Sequence, residues 1–252
     1  MDERAEIVEE TVWEAFAAYR ASATATVVDT EAIRLAITGV PYAGLNGVFR
    51  ARGIDAAALE ETLDLFRQRG VPMLWHVGPQ SDPGVEALLL AAGLELEEKE
   101  PGMIADLDLP AETRGAPPGL RIEPVRDLET LGRWVDILSG GRVVDETVLL
   151  RAALGLGASA ACQHLIGYLD DEAVATAAVH RGTRASEIQH VVTLDQHRRR
   201  GIGTAITAAA LELARQHGSG CAVLTASPDG EGLYRRLGFV TVCSVRRFLR
   251  RV

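Results

Sequence analysis

The chain has 252 residues, enough for one large domain or two of ordinary size. Hydrophobic residues make up 47% and charged residues 24%, which permits a packed core and argues against disorder. The net charge of −9 disfavours general nucleic-acid binding, which needs clustered Lys and Arg against phosphates.

That charge is unevenly spread. Acids outnumber bases 20 to 8 in residues 1–110, whereas bases outnumber acids 18 to 15 in residues 111–252. The second part therefore suits an anionic ligand. A single lysine, Lys99, reads as a compositional bias toward Arg and Ala. The apolar run Ala87–Leu94 is far too short to cross a bilayer, so no membrane partner is expected. The acidic start MDERAEIVEE carries no apolar signal segment. Cys162, Cys221 and Cys243 are odd in number and lack metal-ligand spacing, which predicts free thiols, a reducing cytoplasm and no metal site.

In chain order, Glu3–Tyr19 has helical periodicity, with Ile7, Val8, Val12, Ala15 and Phe16 on one stripe. Ala56–Arg69 predicts a second helix, Pro72–Val77 a short strand, and Gly84–Ala92 a third helix stopped by Gly93. Residues 108–119, DLPAETRGAPPG, read as a linker between a first part, 1–110, and a second, 119–252. Beyond it, Leu120–Pro124 alternates like a strand and Leu128–Leu138 is helical. Gln163–Leu169 and Ala173–His180 form a hairpin on the turn Asp170-Asp171. Glu187–Leu194 predicts a strand, Gly201–His217 a helix, Ala222–Ala226 a strand, Gly230–Leu237 a short helix and Val240–Phe248 a last strand. The order βαβββαβαβ implies a mixed α/β sheet. The first part repeats the end of the second: helix, strand, loop, short helix ending in glycine, then strand. Setting Gly93 on Gly238 places Leu89 where the second copy has Tyr234.

The chemistry concentrates at Asp195–Thr204, DQHRRRGIGT, where an apolar strand gives way to an amphipathic helix. Gly201 and Gly203 let backbone approach a ligand closely. The free N–H groups at the helix start, with its dipole, favour a phosphate, and Arg198, Arg199 and Arg200 add positive charge. The motif lacks both the Walker ending and the third glycine of a dinucleotide fingerprint.

Arg198-x-x-Gly201-x-Gly203 after a strand resembles the acyl-CoA-binding motif of GNAT acetyltransferases, and Ala226–Phe239, ASPDGEGLYRRLGF, resembles that family's loop and short helix ending in LYxxxGF. The resemblance covers residues 119–252 well and 1–110 only loosely. It implies a mixed, mostly antiparallel sheet flanked by helices, in two tandem GNAT-like halves of which the first is degenerate. It implies acetyl-CoA as cosubstrate, with pantetheine along the backbone of Val191, Val192 and Thr193. The pyrophosphate would lie on the N–H groups from Arg199 through Ile202 to Thr204, and Ser227 and Gly230 would border the distal part of the site. Ser227 stands where relatives often carry Asn. Tyr234 would protonate the departing thiolate, as a phenol still protonated at neutral pH can. Glu187 is the first choice for the base and His190 the second; strand alternation would place Glu187 and Gln189 on one face and His190 on the other. Ordered water could also serve. Asn46 could line a pocket, although a turn-forming Asn-Gly is preferred, and Trp75 and His76 are expected to pack in the first part's core.

The expected activity is acetyl transfer to a primary amine, with a small molecule as the preferred acceptor. A protein N-terminus or lysine acceptor, and a non-catalytic acyl-CoA-binding module, remain alternatives. Acceptor contacts are expected from residues 139–145 and 155–162 and from the first half. Homodimerisation is left open.

Overall fold

The structure is a computed structural model that describes residues 2–18, 25–109, 115–140 and 161–251. Strands β1 (Thr26–Asp29), β2 (Ile33–Ile37) and β3 (Asn46–Ala51) follow helix α1 (Glu3–Ala17). Helix α2 (Ala56–Arg69), β4 (Met73–Val77), α3 (Val85–Ala91) and β5 (Glu95–Asp106) complete the first half. The second half runs β6 (Leu120–Pro124), α4 (Leu128–Leu138), β7 (Cys162–Leu169), β8 (Glu172–Arg181) and β9 (Ser186–Thr193). It ends with α5 (Ile202–Gln216), β10 (Cys221–Thr225), α6 (Pro228–Arg236) and β11 (Val240–Arg250).

Local chemistry accounts for the helices found where expected. Asp55 caps α2 by accepting from Ala58 N at 2.9 Å, and Gly70 ends it in the left-handed region. Asp127 and Thr130 form a reciprocal capping box on α4. The β7–β8 turn places Asp170 and Asp171 at φ of 50° and 69°, as a two-residue hairpin requires.

All eleven strands join one sheet, in the order β1-β2-β3-β4-β11-β5-β10-β9-β8-β7-β6. Pairing is antiparallel except between β3 and β4 and between β9 and β10. Each half thus carries a run of antiparallel strands, a helix, a parallel strand, a short helix and a final strand. The final strands are exchanged. β5 pairs with β10 of the second half, β11 pairs with β4 of the first, and β5 and β11 pair with each other at the centre. The proline-rich break at 108–119 divides the chain but not the sheet.

The repeat is visible at the level of single hydrogen bonds. After α3, Gly93 N donates to Leu90 O and Leu94 N to Leu89 O; after α6, Gly238 N donates to Arg235 O and Phe239 N to Tyr234 O. Both glycines have positive φ, 80° and 91°. Leu89 and Tyr234 therefore occupy the same place in the two copies.

Helices cover both faces. α5 and α6 pack with Ile188, Leu224 and Met103 on one face. On the other, α4 packs with Ile166 and Ala178, and Val8 of α1 packs with Ile104 and Val223. Val40 and Leu45 of the first half join the α4 cluster, so the halves also meet outside the sheet.

Two sequence expectations about the first half divide. Trp75 is fully buried and His76 stacks on Phe49 at 4.4 Å, burial driving its imidazole down to about 3. Asn46 forms no turn. It begins β3 fully buried, its Oδ1 accepting from Thr38 N and its Nδ2 donating to Val40 O and Tyr42 O. Its amide braces the loop before the strand.

Candidate functional site

β9 and β10 pair over only two register positions, Ser186 with Ala222 and Glu187 with Val223. Beyond Glu187 the strands part, while β9 continues along β8 as far as Thr193. The edge of Val191, Val192 and Thr193 that faces β10 is thus free of strand partners, and a V opens between the two strands.

A bulge sharpens this divergence. His190 and Val191 oppose the single residue Ala177, and His190 takes a φ of 55°. Thr176 Oγ1 donates to the His190 carbonyl at 2.8 Å, anchoring the kink. The bulge also corrects the expected alternation. His190 meets the edge of Trp134 at 5.5 Å, on the α4 face. Glu187 and Gln189 face the same way, because they lie opposite His180 and Ala178 and Ala178 packs under α4. All three polar residues share one face.

The turn after β9 leads into α5. Gly201 is its N-cap, with φ 83° and no side-chain cap. The first N–H groups of α5 are left to an external acceptor, and a helix N-terminus of this kind favours phosphate. Gly203 allows a close approach: a Cβ there would lie 3.1 Å from the Cδ1 of Leu233 of α6, which would have to give way. Ile202 puts its side chain in the core, leaving its N–H to the turn; Thr204 is half-buried. The arginines differ in task. Arg198 donates from Nε to Thr193 O at 3.2 Å and pairs with Asp195 at 3.0 Å, bracing the turn. Arg199 is exposed with φ 62°, and Arg200 reaches toward His197.

On the opposite side of the V, Ser227 caps α6 through its backbone, its side chain exposed. Gly230 lies under the Tyr234 ring, where a Cβ would meet Cε2 at 2.8 Å. Tyr234 packs edge-on to Phe239 on the α5–α6 face. Its hydroxyl makes no hydrogen bond with a described residue. Burial, with the nearby Glu100 carboxylate adding to it, pushes the phenol up to about 12, so it is a proton donor across the physiological range.

Glu187 is buried on the other face, one carboxylate oxygen without a partner, and burial alone pushes it up to about 8. His190 is driven down to about 4 by burial and by His164. A carboxyl near 8 can accept a proton at mildly alkaline pH, whereas an imidazole near 4 is a far weaker base.

Glu100, absent from the sequence reading, joins the site through the exchanged strand. It is buried, accepts from the Thr225 hydroxyl and pairs with Arg247 at 3.2 Å. Burial raises its carboxyl, and Arg247 offsets part of the rise. Within ELEEKE it looks like one member of a solvated charge run; only its placement beside β10 buries it. A cleft of about 660 Å³ opens nearby between α1, β1 and the β8–β9 hairpin, lined by Trp13, Glu14, Val27, Asp29, His180 and Thr183. The expected acceptor contacts at 141–160 lie outside the described residues. No group of residues suited to a metal ion occurs among the described ones.

The first half lacks these parts. Its α2 N-terminus is already occupied by the Asp55 carboxylate, which satisfies a free N–H and repels an incoming phosphate. Leu89 is sealed in the core where the second half has Tyr234.

A sheet parted between two parallel strands, with a glycine turn opening the following helix, is the geometry of the site. Residues 160–241 match the family described as "Acetyltransferase (GNAT) domain", and the chain carries a GNAT acetyltransferase domain in its second half. The chain is similar to a GCN5-related N-acetyltransferase from Kribbella flavida, at 21% identity and a TM-score of 0.73, over 97% of this chain and 95% of that one. It is similar to a functionally unknown conserved protein from Staphylococcus epidermidis, at 10% identity and 0.67, over 88% and 92%. It is also similar to a tandem GNAT protein from the clavulanic acid biosynthesis pathway, at 16% identity and 0.62, over 97% and 95%. At these identities the likeness is one of fold. No curated protein matches the sequence.

Proposed function

We propose that the chain transfers the acetyl group of acetyl-CoA to the primary amine of a small molecule. The observation that carries this is the uncapped N-terminus of α5 on Gly201, set at the open end of the β9–β10 V. That arrangement suits a pyrophosphate at the turn and a pantetheine arm along Val191, Val192 and Thr193.

Acid and base then act from opposite faces of the sheet. The amine approaches on the α1–α4 face, and Glu187 takes its proton as nitrogen attacks the thioester carbonyl. The C–S bond breaks as the tetrahedral intermediate collapses, and Tyr234 on the other face gives its proton to the CoA thiolate. The two groups are suited to this division: one carboxyl raised toward neutrality, one phenol held protonated.

No described helix is long and apolar enough to cross a membrane, and the three cysteines are unpaired; a cytoplasmic site of action accords with both. We further read residues 1–110 as a degenerate GNAT-like copy and 119–252 as the active one.

A screen of primary amines with acetyl-CoA and longer acyl-CoAs, read by thiol release, tests the proposal. Turnover of one small amine with acetyl-CoA is the expected result. Tight acetyl-CoA binding without turnover of any amine would replace it with a non-catalytic binding module.

A further inference from the structure

Glu187 is buried, so a proton that it takes from an amine needs a way out. The sheet provides a neighbour. In the antiparallel pairing of β8 and β9, His180 lies directly opposite Glu187, and in that of β7 and β8, Cys162 lies opposite His180. Directly opposed residues share a face, with Cβ atoms about 4.5–5.5 Å apart. Cys162, His180 and Glu187 therefore form one row across three strands.

Both polar members of the row are more than nine-tenths buried, and each has an atom without a partner: Oε2 of Glu187 and Nδ1 of His180. Leaving such groups unpaired is costly, so a proton shared along the row would satisfy both. His180 is also a wall of the cleft between α1 and the β8–β9 hairpin, whereas His164 and His190 pack around Trp134.

With Glu187 as the base, as proposed above, we infer that His180 passes the amine's proton from Glu187 to the cleft. The amine N–H bond breaks as an O–H bond forms on Glu187. That proton moves to one ring nitrogen of His180, and the imidazolium loses a proton from its other nitrogen to water or buffer in the cleft. His180 touches no reacting atom; it is a positioning and proton-passing residue. The groups that face it suit transient charging. Glu14 of α1 favours the imidazolium, while burial and His217 disfavour it and bring the resting pKa down. Arg181 is its chain neighbour, and the Cys162 thiol, pushed up to about 12 by burial and by Glu187, stays protonated.

The test uses the full chain and two variants. His180→Ala should lower kcat by roughly 10–100-fold with acetyl-CoA affinity unchanged, a modest acid–base loss. Added imidazole should restore it in proportion to the neutral form, and should not restore Glu187→Gln. Independently of turnover, the infrared carbonyl band of protonated Glu187, identified by its loss in Glu187→Gln, should exchange in deuterium oxide more slowly in His180→Phe than in wild type. Full activity in His180→Ala, or a loss that imidazole leaves untouched while His180→Gln restores it, would make His180 structural. Equal exchange in His180→Phe and wild type would overturn the pathway. A wild type that turns over no amine but shows the exchange difference would overturn the proposed enzyme reaction and leave proton passage from Glu187 to His180 standing.

Discussion

At the residue scale, the two sides of the sheet make separable demands on Tyr234 and Glu187. Tyr234→Phe removes only a hydroxyl that has no described hydrogen-bond partner, so the packing against Phe239 and Gly230 should survive. If the phenol protonates the thiolate, kcat and kcat/KM should fall together by roughly 10²–10⁴, with acetyl-CoA affinity almost unchanged by calorimetry. An undiminished kcat would make Tyr234 a packing residue. Glu187 governs pH dependence. With its carboxyl at about 8, kcat/KM should rise through that region as the base ionises, and Glu187→Gln should abolish the rise along with most of the activity. The same shift affects stability with a definite sign. Between its ordinary value of 4.5 and about 8, the folded state holds a proton that the unfolded state has lost. Stability therefore falls as pH rises through this window and levels off above it. Thermal melts of Glu187→Gln against wild type should show an advantage for the variant that grows from pH 5 to 8; a constant difference would place the carboxyl elsewhere on the scale.

At the scale of elements, the two strand–helix units differ at the start of the helix. α2 begins on a capping carboxylate, and α5 begins on a left-handed glycine without one. Gly201→Val would force a branched residue into φ 83° and put its side chain against the pyrophosphate. Calorimetric titration of a folded variant should show at least a tenfold loss of acetyl-CoA affinity, about 1.4 kcal/mol; unchanged affinity would move the site away from this turn. The glycine turn that opens α5 was legible in the sequence, because it is written in residues within one turn of each other. β1, β2 and β3 were not. β3 is buried along its whole length, so no polar alternation marks it, and a register shift interrupts β2 against β3. The bulge at His190 escaped for a related reason: one extra residue reverses the facing of everything beyond it, and no residue type announced it.

At the scale of the molecule, the exchange of β5 and β11 makes each half depend on the other. Residues 111–252 alone would lose β5, leaving the edges of β10 and β11 unpaired and uncovering Leu224 and Val223, which pack with Met103 and Ile104 of that strand. We expect that fragment to aggregate, and residues 1–110 alone to bind no acetyl-CoA. Co-expression of the two fragments should give a soluble pair that binds acetyl-CoA, measured by co-purification and titration. Saturable binding by the first fragment alone would refute its reading as a degenerate copy.

The sequence by itself determined the helices, the glycine turn at 198–203, Tyr234 on its short helix and the internal repeat, all signals carried by residues close together in the chain. Apart from the β7–β8 hairpin, which the Asp170-Asp171 turn announces, tertiary structure alone decided which strand stands beside which. β5 and β11 are separated by more than a hundred residues, and hydrogen bonding between backbones is indifferent to side-chain identity, so no local pattern names a partner. That choice of neighbours buries Glu100 beside the V and sets His180 against Glu187. Read along the chain, Glu100 is only an acid in a charged run and His180 a histidine at the end of a strand.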